Sequence, residues 1–170
     1  VTFSPMVDLV RDPRWGRVME STGEDPLLNS RLAAAMVRGY QGENLKEDNW
    51  RVAACVKHFA AYGGALAGRD YNTVDMSERQ LREMYLPGYK AGLDAGAKLV
   101  MTSFNTVDGI PATGNQWLFR DVLRNEFGFE GVVISDWGAI KELIPHGVAK
   151  DEKQAAELAI KAGVDIEMMT

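Results

Sequence analysis

Short apolar runs that alternate with amphipathic helical stretches predict an α/β fold of about five parallel β/α units. Three observations carry this. Apolar strand-like runs occur at 1–7, 52–57, 98–104, 131–135 and 165–169. The stretches between them show helical periodicity, with polar cap residues at their starts and glycines just past their ends. The run Val132-Val133-Ile134 is β-branched without polar alternation, the pattern of a strand covered on both faces.

In chain order, 1–7 reads as the first strand. The helix over 27–41 starts near Asp25 or Pro26 and stops at Gly42. Residues 43–49 are polar and read as a surface connection. Strand 52–57 carries Cys55. The helix over 77–95 opens with the capping-box pattern Ser77-Glu78-Arg79-Gln80, and Pro87 is expected to break or kink it. Strand 98–104 leads to Asp108-Gly109, a tight-turn signal. Asn115 is placed to cap a helix over 116–127 that ends at Gly128. After strand 131–135 a short helix over 139–144 is expected. Asp151 then opens a helix over 151–162, closed by Gly163, before the last run. Such an order fits either an open doubly wound sheet or an arc of an eight-stranded barrel. No Gly-x-Gly-x-x-Gly follows the first strand, which weakens a dinucleotide-binding reading. The glycines of 63–68 lack a following Lys-Ser/Thr and mark a flexible loop.

The 170 residues are 46% hydrophobic and 25% charged, an ordinary globular composition large enough for one sizeable core. A net charge of −5 and the lack of a basic stripe argue against a nucleic-acid partner. No apolar run approaches the ~20 residues of a bilayer span, so no membrane partner is expected. The lone Cys55 excludes an internal disulfide and reads as a small buried residue. His58 and His146 lack zinc-ligand spacing, and no Gly-x-Ser-x-Gly elbow occurs. The opening at Val1 without a Met, and the closing strand-like run, read as cuts from a longer polypeptide.

Polar residues gather where strands end. Asp136 closes the run Gly131-Val132-Val133-Ile134-Ser135-Asp136, with Trp137 and Gly138 after it. In α/β folds ligands collect at the carboxyl ends of strands. A carboxylate there suits a transition state that gains positive charge, such as the oxocarbenium-like one of sugar transfer. Trp137 offers a flat face to a sugar ring. Asp136 read by itself also fits a helix N-cap. Lys57 and His58 end the second run, where each needs a polar partner. They suit a hydroxyl-rich ligand, or else a solvent-reaching Lys and a satisfied core His. Arg11, Arg14 and Arg17 lie near Asp12 and Glu20; they could recognise a ligand or form a solvated salt-bridge knot. Phe104 and Asn105 follow the third run, where core packing and turn chemistry are the plainer readings. Glu167 lies near the last strand end and His146 in a polar turn.

Together these segments resemble the family 3 glycoside hydrolases. The resemblance rests on Ser4-Pro5-Met6-Val7-Asp8, Asp12-Pro13-Arg14-Trp15-Gly16-Arg17, Glu24-Asp25-Pro26, Val56-Lys57-His58-Phe59-Ala60, Asp75-Met76-Ser77-Glu78-Arg79, Asn105, Gly109-Ile110-Pro111-Ala112 and Ile134-Ser135-Asp136-Trp137. Asn72-Thr73-Val74-Asp75-Met76-Ser77 and Lys141-Glu142-Leu143-Ile144 make it most similar to the bacterial periplasmic β-glucosidases. The resemblance implies a partial (β/α)8 TIM-type barrel. Residues 1–170 would be the central part of an N-terminal barrel domain, truncated at both ends and lacking a following α/β-sandwich domain. It implies Asp136 as nucleophile, Arg17, Lys57 and His58 as binders of sugar hydroxyls, and Trp137 on the acceptor side. Phe104 stands where many members carry a Tyr, so a hydrogen-bond donor is missing from that position. The acid/base would be a Glu of the sandwich domain, outside this chain. The β-N-acetylglucosaminidase branch fits less well, because Ala60-Ala61-Tyr62-Gly63-Gly64 replaces its Pro-Gly-His-Gly continuation.

The implied reaction is retaining hydrolysis of β-linked glucosides or xylosides without metal or organic cofactor. The implied partners are a small carbohydrate and the missing segments of the same polypeptide, in a periplasmic or secreted setting. Two rivals compete. One is a sugar-binding or inert fragment without catalysis. The other is an aldolase-like barrel with Lys57 as a Schiff-base lysine.

Overall fold

The computed structural model describes residues 1–71 and 73–169. Asn72, part of one resemblance segment, and Thr170, the end of the last run, lie outside the described residues. Strands β1 (Cys55–Phe59), β2 (Leu99–Thr102) and β5 (Val132–Ile134) form a parallel sheet in the order β1-β2-β5. A separate hairpin pairs β3 (Thr106–Val107) with β4 (Ile110–Pro111). Its two-residue turn is Asp108-Gly109, both at positive φ (52° and 75°), as an Asp-Gly hairpin turn requires.

The first and last apolar runs flank this sheet as extended chain with isolated bridges, not as full strands. Thr2 and Met6 bridge Ala54 and Lys57, and Ile166 bridges Ile134, all in parallel. Thr2 and Met6 lie four positions apart but Ala54 and Lys57 only three, so the register shifts and no continuous ladder forms. Within this sheet and its flanking runs, neighbours in space therefore follow chain order and every pairing is parallel. A doubly wound sheet would reverse that order after its first strands; an arc of a (β/α)8 barrel does not.

Side-chain alternation assigns the two faces. Val56, Val100 and Val133 sit in register and pack into the main core with the helices. Cys55, Leu99, Met101 and Ile134 point the other way and form a smaller cluster with Met168. The interior of the arc is thus apolar, and its helical side holds the larger core.

Helix α1 (Pro26–Gln41) starts where Asp25 accepts the Leu28 N–H at 2.7 Å, and it ends at Gly42. It buries Asn29, Ala33, Val37 and Gln41, one stripe at four-residue spacing. Ser77 accepts the Gln80 N–H at 3.2 Å and opens α2 (Glu78–Gln80). The chain then widens into a π turn, Leu81–Tyr85, and continues as α3 (Leu86–Asp94). Pro87 does not break the path. The wide turn precedes it, and it occupies the first turn of α3, where a missing N–H costs nothing. Glycines let α3 come close: a Cβ on Gly88 would collide with Asn29, and one on Gly92 would lie 2.8 Å from Val56 Cγ2.

Asn115 caps the stretch Trp117–Glu126 by accepting the Leu118 N–H at 3.1 Å. That stretch winds as a π-helix. Only a single 3₁₀ turn, Lys141–Leu143, forms where a short helix over 139–144 was expected. Asp151 caps α4 (Glu152–Ala162), and Gly163 closes it at φ 119°.

Candidate active site

The sheet brings its strand ends together. β1 ends in Lys57-His58-Phe59, β2 is followed by Phe104 and Asn105, and β5 by Ser135-Asp136-Trp137. Arg17 arrives from the loop after the first extended run. Parallel strands share one carboxyl-terminal edge, so these sequence-distant residues converge there.

Asp136 is 9% exposed. Its backbone N–H donates to Thr102 Oγ1 at 3.2 Å, and its Oδ1 accepts the Trp137 N–H at 2.6 Å. Oδ2 is buried and has no hydrogen-bond partner among the described residues. It lies 3.3 Å from His58 Nε2. The N-cap reading of Asp136 does not hold: the 3₁₀ turn that follows is preceded by Ile140, not by Asp136.

His58 is 1% exposed and belongs to a buried polar chain. Its Nδ1 lies 2.7 Å from Asp8 Oδ2, and its backbone N–H donates to the same oxygen at 3.1 Å. Arg17 Nη1 lies 3.3 Å from Nε2. Tyr62 meets the ring edge-to-face at 5.1 Å.

The three arginines of 11–17 separate. Arg14 pairs with Asp12 at the exposed surface and holds that carboxyl at about 2 by hydrogen bonding. Arg11 donates to the Asp75 carbonyl at 3.2 Å. Only Arg17 turns toward the strand ends. Glu20 grips its Nε and Nη2 at 2.6 and 2.8 Å, which raises the guanidinium above its ordinary pKa. Its Cζ sits 5.6 Å from the Tyr62 ring centroid. Glu20 is held below the usual carboxylate range, first by those Arg17 hydrogen bonds and also by the charges of Lys57 and His58. Lys57 is half-buried on β1. Arg17, Glu20, Lys57, His58 and Asp136 therefore form one electrostatic cluster.

Phe104 and Trp137 part company. Phe104 is buried in a small cluster with Met6, Trp15, Tyr62 and Ala139, and Tyr71 meets its ring at 4.7 Å. Trp137 is 63% exposed beside Asp136. Asn105 is more than a turn residue: it is fully buried, and its Nδ2 donates to the Ala60 carbonyl at 3.1 Å, tying β2's end to β1's. Glu142 is raised above its ordinary pKa, by burial first and then by the Asp136 charge. Asp8, Tyr62 and Tyr89 are built into the cluster, yet sequence reasoning gave them no role. Asp8 carries the one available signal, a charge inside the apolar stretch Met6–Val10.

Among the described residues no group of three or more His, Cys, Asp or Glu could hold a metal ion. The arrangement offers a buried carboxylate oxygen with a free lone pair, surrounded by cationic and donor groups. Such an oxygen is placed to act as a nucleophile or base, and the groups around it suit a hydroxyl-bearing ligand.

All of residues 1–170 match the family described as "Glycosyl hydrolase family 3 N terminal domain". The periplasmic beta-glucosidase of Salmonella typhimurium is 53% identical over 168 residues, which cover 99% of this chain and 22% of that protein. A beta-xylosidase of Formosa agariphila is 41% identical, over 98% of this chain and 24% of that protein. The crystal structure of a beta-glucosidase from Listeria innocua in complex with glucose superposes with a TM-score of 0.97 at 66% identity, over 99% of this chain and 24% of that one. A mutant of that enzyme, in complex with laminaribiose, gives the same TM-score of 0.97. The chain spans about a quarter of the length of these relatives. With its whole length matched and its arc of parallel strands superposed, the chain belongs to glycosyl hydrolase family 3.

Proposed function

We propose that the protein containing this chain is a retaining β-glucosidase-type hydrolase in which Asp136 is the nucleophile. One observation carries this reading: Asp136 Oδ2 is buried, has no hydrogen-bond partner among the described residues and lies 3.3 Å from His58 Nε2, while Trp137 N–H occupies Oδ1. A nucleophilic carboxylate needs one oxygen free and the other held. In the reaction Oδ2 bonds to the anomeric carbon as the glycosidic C–O bond breaks. A second carboxyl group about 5–5.5 Å away protonates the leaving oxygen, then takes a proton from a water that attacks the anomeric carbon as its bond to Asp136 Oδ2 breaks and the carboxylate is released.

That second group is assigned to a Glu of a following α/β-sandwich domain, and residues 1–170 to the central part of an N-terminal barrel. The exposed apolar side chains of Val1, Phe3 and Ile166 at the sheet's margins favour further strands beside them. Arg17, Lys57 and His58 would bind sugar hydroxyls, Phe104 would give an apolar wall, and Trp137 would face the leaving group. The substrates are terminal β-linked glucosides or xylosides, the two activities carried in the relatives' names. No helix among the described residues is long and apolar enough to cross a membrane. Likeness to the Salmonella periplasmic protein supports a periplasmic or secreted setting.

The test uses the longer polypeptide. Asp136→Ala should lower kcat on an aryl β-glucoside by several orders of magnitude. A 2-deoxy-2-fluoro glucoside should label the peptide that contains Asp136. A label on another carboxylate sinks the assignment.

A further inference from the structure

We infer that Asp8 is a positioning residue that acts through His58, a role that rests on the glycosidase reading. Asp8 is fully buried within an apolar run. A carboxylate so placed is costly unless donors surround it, and here they do. Oδ2 receives both the ring Nδ1–H (2.7 Å) and the backbone N–H (3.1 Å) of His58. Oδ1 lies 2.6 Å from the Tyr89 hydroxyl, which is also 2.6 Å from the His58 carbonyl and accepts the Ala61 N–H at 3.2 Å.

This arrangement constrains His58 in two ways. A carboxylate only accepts, so a ring hydrogen sits at Nδ1 whether or not Nε2 also carries one. The ring and the backbone of one residue are also clasped by one oxygen, which fixes the direction of the side chain. Nε2 is thereby aimed at the site, 3.3 Å from both Arg17 Nη1 and Asp136 Oδ2. Tyr62 closes against the ring's flank. Second partners of this kind commonly set the tautomer and orientation of functional histidines.

A purely structural Asp8 would matter for folding whatever stands at position 58. A positioning Asp8 should matter to catalysis only while His58 is present. The experiment is a double-mutant cycle on kcat/KM in the longer polypeptide, with an aryl β-glucoside as substrate. Asp8→Asn keeps the shape and removes the charge. It is expected to lower kcat/KM about 10- to 100-fold, mainly in kcat. In a His58→Ala background the same change should alter kcat/KM by less than about twofold. Should Asp8→Asn not fold, Tyr89→Phe loosens the same carboxylate and enters the same cycle, where its smaller loss should also vanish without His58. Equal losses in both backgrounds, or no loss with His58 present, overturn the inference while the glycosidase reading stands. A wild-type protein without glycosidase activity overturns that reading, and this inference with it.

Discussion

Replacing Glu20 by Gln should separate catalysis from stability. Glu20 holds Arg17 through two parallel bonds, Nε at 2.6 Å and Nη2 at 2.8 Å. That fork leaves Nη1 as the one guanidinium nitrogen turned to His58, at 3.3 Å. The Glu20 side chain is 44% exposed, so solvent screens the pair and its worth to stability is about 0–1 kcal/mol. If Arg17 binds sugar hydroxyls as proposed, its worth to the reaction is larger. Displacing a substrate-orienting group by about 1 Å can cost on the order of 100-fold in rate. Glu20→Gln presents an amide N–H to the guanidinium on one side, and the fork opens. We expect kcat/KM on an aryl β-glucoside to fall about 10- to 100-fold, about 1.4–2.7 kcal/mol of transition-state stabilisation, with a melting temperature within a few degrees of wild type. The pH dependence has a definite sign. In the folded protein Glu20's pKa lies below the ordinary glutamate value. Its stabilisation is therefore complete above the unfolded value and is lost as pH falls through the lowered folded one. The variant should lack that acid-side change. Wild-type kinetics in folded Glu20→Gln would refute the claim that the carboxylate aims Arg17. An equal collapse of stability would show that the pair serves folding instead.

Two further outcomes follow from packing and burial. Gly88→Ala places a methyl group against Asn29, which ties α1 to the first extended run through the Val7 carbonyl; it should cost about 1–3 kcal/mol in denaturant unfolding, and an unchanged midpoint would mean that α3 can shift freely. Burial pushes the Cys55 thiol up to about 12, so in the folded protein at pH 8 it should resist a thiol reagent and react only on unfolding; fast labelling of folded protein would contradict the buried placement.

Much of the fold was legible because local chemistry specifies it. Asp25, Ser77, Asn115 and Asp151 each cap a helical stretch through the side-chain bond their residue type favours. Asp108-Gly109 makes its hairpin turn. Where reading failed, non-local terms won. Pro87 is the local exception: a π turn just before it lets the helical path continue. The outer runs stayed at single bridges. Asn105 carried a local turn signal, but its position between β2 and β1 makes it a cross-strand tie.

The candidate site divides the same way. Asp136, Lys57 and His58 stood out in the sequence because a polar residue at the end of an apolar strand needs a partner, and that need is visible in one dimension. The sequence alone therefore determined the family, most of the succession of strands and helices, and which strand ends carry polar residues. What the tertiary structure decided is who meets whom. It chose Arg17 over Arg11 and Arg14, because only Arg17 has Glu20 and Tyr62 to orient it. It buried Phe104 and left Trp137 exposed. It also placed Asp8 behind His58 and Tyr89 behind Asp8. These partners come from the first extended run, β1 and α3, separated by 50 and 81 positions. Residue type and spacing cannot encode such meetings; they arise only when parallel strands align their carboxyl ends and a helix packs down on them.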